Sequence, residues 1–489
     1  MVETIRSEVR AVIVAEKAVK AAGAKDGRKM NSKRYTAQMV EIVSMKTGHT
    51  LNPTGRPRWV ERAVWTDRML QALENGVIGG KWHNLIDKVY ARRNLDAACQ
   101  KVLRNKGAPG IDRITVDAYI ANQEHYQATV AQNLHTHSYR PKPLRRVSID
   151  KPGTKEKRPL GIPCLRDRIV QGALKNVLEP IFENGFHPDS YGFRPERSCH
   201  DALRQVDQMI KSGYQVVVDA DIRGFFDAIP KDKLMDMIRR DIADGRVLDL
   251  LELLLNQGIM EGMRYWEPET GTPQGGVISP LLANIFLNDF DWAMSRQGIR
   301  FVRYADDFVL LCRNRADAEK ALELAKHWMD GHGLELHPEK TKIVDMSEHK
   351  SNFSFLGYCF KRNINRRGES RILRLISRKS LSKLRATLRI YTKRVNAHSM
   401  PEIIRRINQT LKGWFPYFKH LLLSELRSID QYIRRRLRRI LRKRSKRSHG
   451  SGISQQDHQR WPNAYFNDLG YFSLEAAHQR TLQSLRGTH

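Results

Sequence analysis

Cysteine is scarce and poorly placed for chemistry: Cys99, Cys164, Cys199, Cys312 and Cys359 are scattered over 489 positions with no CxxC pair. That spacing excludes a zinc ribbon and a disulfide framework, and leaves small buried residues as the reading for all five. Long apolar runs are missing too. No stretch approaches the roughly 18 apolar residues of a bilayer-spanning helix, and Arg6, Glu8, Arg10, Glu16 and Lys17 break up the start before a signal-peptide core could form. The expectation is an intracellular chain without a membrane partner. Internal repeats are absent, and acids are in short supply: 53 Asp and Glu face 85 Lys and Arg, a net charge of +32 with a pI near 10.1. Such an excess points to a polyanion, most simply nucleic acid. An anionic membrane surface is the rival, and it requires an amphipathic basic helix. With 40% hydrophobic residues the chain is more than a basic tail, and its length suggests about three domains.

The charge is local. Residues 361 to 448 hold 28 Lys and Arg against 4 Asp and Glu, an excess of 24, so the rest of the chain carries only +8. A remainder of near-ordinary composition should hold a separate activity. Within the basic part, Ile433, Leu437, Ile440 and Leu441 recur at helical spacing through the arginine-rich run up to Arg447. The helix either contacts phosphates or shows a solvated basic face over a packed stripe; the stripe is too narrow and lacks the aromatics that a membrane-surface helix needs. Arg371 to Ile376 reads as β, and residues 377 to 448 as a helical bundle.

Upstream the pattern is mixed. Helices are expected near Val60 to Asn75, Trp82 to Ala91 and Leu95 to Asn105, followed by a loop at Gly107 to Asp112. Tyr139 to Pro163 reads as a basic β-hairpin around a Gly-containing turn, and a helix runs through Ile169 to Leu178. Val216 to Ala220 is a β run, Lys231 to Arg239, Leu248 to Leu255 and Leu281 to Phe290 are helical, and Phe301 to Cys312 is a strand broken by a tight turn. This is an α+β core with an appended α domain.

Two acidic clusters lie at the ends of apolar β runs: Val218-Asp219-Ala220-Asp221-Ile222 and Tyr304-Ala305-Asp306-Asp307-Phe308. Alternation puts Asp219 and Asp221 on one face of their strand. Neighbouring carboxylates in a β context repel each other and resist desolvation unless cations neutralise them. If Asp221 lies beside the Asp306-Asp307 turn, three carboxylates can hold two Mg²⁺ ions and serve phosphoryl transfer.

The same segments resemble the group II intron-encoded reverse transcriptases. Eight blocks occur in that family's order: RNKGAPGID (Arg104 to Asp112), RPLGIP (Arg158 to Pro163), SYGFRPERS (Ser190 to Ser198), VDADIRGFFD (Val218 to Asp227), GTPQGGVISP (Gly271 to Pro280), YADD (Tyr304 to Asp307), HPEKTKIV (His337 to Val344) and FLGY (Phe355 to Tyr358). The resemblance implies a right-hand polymerase with fingers and palm over 79–360, an N-terminal extension over 1–78, an α-helical thumb or maturase (X) domain over 361–430, and a basic DNA-binding region over 431–489. It implies Asp221, Asp306 and Asp307 as the metal-binding triad, with the Ile222 carbonyl as a further ligand and Asp219 as a satisfied neighbour. Lys157, Arg158 and Arg168 would grip the triphosphate. Phe225 or Phe226 would block a 2′-hydroxyl, and Gln274 would sit at the template-primer pair. Arg194 would touch template or order the fingers. Arg435, Arg438 and Arg442 stand for the nucleic-acid contacts of the basic helix, whereas Trp414, Phe415, Tyr417 and Phe418 fit thumb packing better than base stacking.

The implied activity is RNA-directed DNA synthesis with a maturase role: binding a group II intron RNA as a ribonucleoprotein, promoting its splicing, and copying it from dNTPs at a DNA target in a bacterial cytoplasm, nucleoid-associated in action. Paired cysteines of a His-Asn-His-type endonuclease are absent after Cys359, so an endonuclease-lacking form is expected. A maturase with a decayed polymerase site is disfavoured by the intact triad, and a viral RNA polymerase by the aromatics after Asp221. A domesticated relative in defence or DNA repair is the alternative.

Overall fold

The computed structural model describes residues 59–77, 79–150, 157–348, 350–364, 370–445 and 453–486. They belong to two compact units, Met1–Val60 and Glu61–His489; of the first, only Trp59 and Val60 are described, so residues 1–58 of the expected N-terminal extension lie outside the described residues.

The second unit opens with helices α1 (Asp67–Asn75), α2 (Ile86–Tyr90), α3 (Arg92–Arg104), α4 (Val116–Ala121) and α5 (Gln123–His135), then the hairpin β1 (Leu144–Asp150) and β2 (Lys157–Ile162) and the long helix α6 (Leu165–Glu183). Next come α7 (Cys199–Lys211), β3 (Val216–Asp221), α8 (Phe225–Ala228), α9 (Lys231–Arg239), α10 (Gly245–Leu255), β4 (Ile259–Glu261), β5 (Arg264–Trp266) and α11 (Ser279–Arg296). The hairpin β6 (Arg300–Tyr304) and β7 (Asp307–Cys312) follows, with α12 (Arg315–Gly331) and β8 (Lys342–Asp345). Three strands, β9 (Asn352–Phe355), β10 (Tyr358–Ile364) and β11 (Ser370–Ile376), lead into α13 (Arg378–Tyr391), α14 (Met400–Phe418), α15 (Leu423–Arg444), α16 (Gln455–Arg460), α17 (Asn463–Asp468) and α18 (Leu474–Arg486).

Local chemistry explains the main starts. Ser198 and Asp201 form a reciprocal capping box at α7, and Asn314 caps α12. Asp244 caps α10 through its Oδ1 on Val247 N at 3.2 Å, while its Oδ2 accepts from Leu85 N and Ile86 N at 2.6 and 2.9 Å, tying α2 to α10.

The strands make three sheets, ordered β2-β1-β4-β5, β6-β7-β3-β8 and β11-β10-β9. The central sheet is antiparallel: β3 lies between β7 and β8, with Val216 opposite Cys312 at one end and Asp221 opposite Asp307 at the other. Val217, Val218, Val302, Val309 and Leu310, which point to both of its faces, are fully buried. The first sheet was legible as the β1–β2 hairpin; its extension by the short β4–β5 hairpin, in parallel with β1, was not.

Two expected boundaries move. Trp65 donates from its indole to Asn176 O at 3.0 Å, so the polymerase unit is already under construction well before residue 79. α15 runs through 430/431, and Ile433, Leu437 and Ile440 share one core with Ile403, Ile407 and Leu411 of α14 and with Trp461, Phe466, Tyr471 and Leu474 beyond it. The segment from 431 on therefore completes the helical bundle instead of standing apart. The apolar stripe of α15 is spent on that core, which removes the membrane reading. Among the described residues no helix is long and apolar enough to cross a membrane. The five cysteines are unpaired; Cys99, Cys164 and Cys312 are buried, as expected, and Cys199 and Cys359 partly so.

Candidate active site

At the edge of the central sheet, β3 ends on Asp221 and β7 begins on Asp307, directly opposite each other. Asp306 sits between them in the two-residue connection from Tyr304 to Asp307. Directly opposed like charges destabilise an antiparallel pair, and the structure compensates: Lys340 Nζ lies 2.6 Å from Asp221 Oδ2, and Lys342 Nζ 3.7 Å from Asp219 Oδ2. Burial, with repulsion from Asp306, Asp221 and Asp219 behind it, pushes the Asp307 carboxyl up to about 6. Asp307 is nonetheless exposed, so repulsion from the neighbouring carboxylates is the cause that solvent leaves in place. Asp306 is likewise raised, by burial first and by Asp221. Burial also lifts Asp219 to about 6, against the pull of Lys342.

This donor set suits hard divalent cations, which take carboxylate oxygens. Among the described residues no group of three or more ligand side chains stands ready-made around a metal position. The triad is instead a cluster of repelling acids with a lysine ammonium on one of them, which is what a cation-dependent carboxylate centre looks like when a side chain supplies the positive charge.

Around the centre, Asp221 O accepts from His337 N at 2.8 Å, and Ile222 is buried in a bridge to Leu336. The two phenylalanines are separated by the structure: Phe225 is 2% exposed and belongs to the core, while Phe226 is only partly covered. Thr272 N donates to Phe226 O at 2.7 Å and Gly161 N to Gln274 O at 2.7 Å, so the 271–276 loop joins the fingers hairpin to the start of α8. Gly275 has φ +115°, and a Cβ there would lie 2.4 Å from Gly161 O, which accounts for glycine at this joint. Gln274 Nε2 donates to Asp227 Oδ2 at 3.0 Å. Lys157 and Arg158 are exposed at the start of β2, and the Arg158 charge is felt by both Asp306 and Asp227.

Other expected contacts turn inward. Arg168 donates from Nε to Pro163 O at 2.9 Å and from Nη2 to Ala108 O, so it braces the 107–110 loop instead of reaching for phosphates. Arg194 is 6% exposed, forks onto Glu183 at 2.7 to 3.1 Å, and donates to His187 O and Ser190 O. Its guanidinium is thus spent on the 183–190 segment. Arg438 is 2% exposed and donates to Trp461 O and Asn463 Oδ1, both at 2.9 Å, because α16 and α17 fold back over it. Arg442 lies 3.6 Å from Asp457, partly covered. Only Arg435 of that trio is exposed. Trp414 and Phe418 stack with centroids 4.5 Å apart, Phe418 packs on Tyr358, and Tyr417 Oη donates to Leu356 O at 2.7 Å, so these aromatics are bundle packing. Spacing alone did not reveal Lys340, Asp227 or the buried Arg303, although Lys340 lies inside the HPEKTKIV block.

Comparison with known proteins agrees with this geometry. Residues 149–360 match the family model for reverse transcriptase (RNA-dependent DNA polymerase), and residues 381–461 match the maturase-specific domain of group II introns. Protein YkfC of Escherichia coli (strain K12) is 35% identical over 60% of this chain and 87% of its own length. The chain belongs to the group II intron-encoded reverse transcriptases and maturases. Group II intron-encoded protein LtrA of Lactococcus lactis subsp. cremoris is 38% identical over 42% of this chain, though the shared part is only 34% of LtrA. The putative COX1/OXI3 intron 1 protein of Saccharomyces cerevisiae is 29% identical over 54% of this chain and 32% of its own length. As a member of this family, the reverse transcriptase carries its RNA-directed DNA polymerase domain around the Asp221/Asp307 edge and its maturase-specific domain across α13 to α15.

Proposed function

We propose that this chain binds a group II intron RNA as a ribonucleoprotein, promotes its splicing, and copies it into DNA at a target site, using dNTPs and two Mg²⁺ ions held by Asp221, Asp306, Asp307 and the Ile222 carbonyl. The observation that carries the chemistry is the register of β3 and β7, which sets Asp221 against Asp307 with Asp306 at the turn. These carboxylates would hold Mg²⁺, which would supply acidification of an attacking 3′-hydroxyl and neutralisation of charge on the triphosphate.

The chain's own groups do the rest. Lys157 and Arg158 on the hairpin meet the triphosphate with charge-assisted hydrogen bonds. Phe226, held through its carbonyl by Thr272, presents its ring where a ribose 2′-hydroxyl would enter, and the core assigns Phe225 to packing. Gln274, its amide fixed by Asp227, offers an acceptor at the template-primer pair. Lys340 neutralises Asp221 with its ammonium 2.6 Å from Oδ2. The exposed arginines of α15 hold the RNA and DNA backbone, which supplies most sequence-independent affinity.

Primer extension on an RNA template with dNTPs and Mg²⁺ should proceed, and Asp306→Ala should abolish it. Extension by the variant at the wild-type rate would sink the metal assignment.

A further inference from the structure

The turn that carries Asp306 is built on a backbone conformation its residues do not favour. Ala305 has φ +60°, in the left-handed region where glycine is the ordinary occupant. Its neighbourhood shows what holds it there. Arg303, two residues earlier on β6, is wholly buried. Its Nη1 donates to Ala305 O at 2.9 Å and to Asn284 Oδ1 at 3.0 Å, while Nε and Nη2 fork onto Asp291 at 2.7 and 2.6 Å. Asn284 and Asp291 lie two turns apart on one face of α11. Asn284 Nδ2 then donates to Gly192 O at 2.8 Å. Gly192 presses on the turn from the other side: a Cβ there would lie 2.2 Å from Ala305 N. The Arg303 backbone completes the enclosure, donating to Asp189 O at 3.0 Å and accepting from Tyr191 N at 2.9 Å. The SYGFRP block is thus the platform under the catalytic turn, and Arg194 is its anchor.

A wholly buried ion pair is seldom the most stabilising filling for its space, since apolar residues of similar volume commonly do as well. What an apolar pair could not do is grip the Ala305 carbonyl. Asp291 pairs with the Arg303 charge, which reaches Asp306 only as the last of several influences, so the arginine acts mainly through geometry.

We infer that Arg303 is a positioning residue of the carboxylate centre: its guanidinium fixes the left-handed Ala305 turn, and so sets how Asp306 and Asp307 meet Asp221 and how tightly that centre takes a divalent ion. This rests on the metal assignment proposed above. The Asp291 pair is the arginine's own anchor, and Asn284 couples it to Gly192.

Arg303→Lys keeps a cation opposite Asp291 but removes the Nη1 donor that reaches Ala305 and Asn284. In the full chain, Mn²⁺ affinity, read from the electron paramagnetic resonance signal of the free ion, should fall about tenfold, the worth of one hydrogen bond to a charged group. Far-ultraviolet circular dichroism and metal-free binding of a primer-template duplex should match wild type. Adding Ala305→Gly, which lets the turn form without strain, should recover several-fold of the lost affinity. Wild-type Mn²⁺ affinity in Arg303→Lys, or no recovery in the double variant, overturns the inference. Should Arg303→Lys not fold, Asn284→Ser, which loosens the same brace, carries the test with an expected loss of about threefold, and an unchanged affinity there overturns it equally. Asp306→Ala separates the two assignments. Wild-type Mn²⁺ affinity in that variant defeats the metal centre itself, whereas weakened binding there beside unaltered Arg303→Lys defeats only the positioning role.

Discussion

The basic helix α15 offers two arginine faces that should respond to mutation in opposite ways. Arg435, Arg439 and Lys443 are exposed and fall on one stripe at four-residue spacing, whereas Arg434 and Arg438 are buried against the helices that follow. If the exposed stripe contacts duplex phosphates, each lost contact lowers the slope of log K against log salt by about 0.9, so replacing all three with Ala should flatten it by about 2.7 units. On a single strand the corresponding change is about 2 units. Arg438→Ala should leave the slope alone. It strips Trp461 O and Asn463 Oδ1 of a charged donor in the interior, at a cost to stability of about 3 kcal/mol. Fluorescence anisotropy of labelled duplex DNA from 50 to 300 mM salt measures the first effect, and urea unfolding the second. A slope within about half a unit of wild type in the triple variant would show that this face is merely solvated.

Two further outcomes are expected. Because Asp307 is raised from its ordinary value near 3.8 to about 6, protons compete with the metal below pH 6: Mn²⁺ affinity should fall by up to about tenfold per pH unit between about 6 and 4. The same sign means that the metal-free fold is favoured below the unfolded-state value and loses that advantage as pH rises through 6, so Asp307→Asn should stabilise the metal-free protein at pH 8, by about 1 kcal/mol after allowance for solvent screening, and not at pH 4. Equal stability of variant and wild type at pH 8 would refute the repulsion. Phe226→Ala should raise incorporation of ribonucleotides relative to deoxyribonucleotides by at least about tenfold while Phe225→Ala mainly destabilises, by about 3 to 5 kcal/mol; a gain in ribonucleotide use confined to the Phe225 variant would reverse their assignment.

Much of the site was legible because catalytic carboxylates must sit at strand ends, and strand ends show themselves in alternation and in turn signals. Asp221, Asp306 and Asp307 were placed together on that ground, together with the block order. The direction of an arginine was not legible from its charge. Arg168 reaches back to Pro163 and Ala108 and Arg438 forward to Trp461 and Asn463, while Arg158 and Arg435 stay exposed, and partners as distant as Ala108 leave no local periodicity. The ordering of Phe225 and Phe226 was out of reach for the opposite reason: adjacent residues in a one-turn helix diverge, and only the core beneath α8 says which one it takes. The short β4–β5 strands escaped because three residues each carry no period to count.

Asp430, in the middle of α15, accepts from Tyr471 Oη at 2.7 Å, Ser473 Oγ at 2.8 Å, Leu474 N at 3.2 Å and Glu475 N at 3.1 Å, so it is a buried carboxylate whose partners all come from the far end of the chain. The central sheet is complete once Asp345 has been synthesised, but the helical bundle is left with an unmet interior charge until Tyr471 to Glu475 exist. At about 5 to 20 residues per second that interval is on the order of ten seconds on the ribosome. During it the carboxylate edge can be assembled while the helix we propose as a hold on polynucleotide still lacks its interior partners, which orders folding of the sheet ahead of capture.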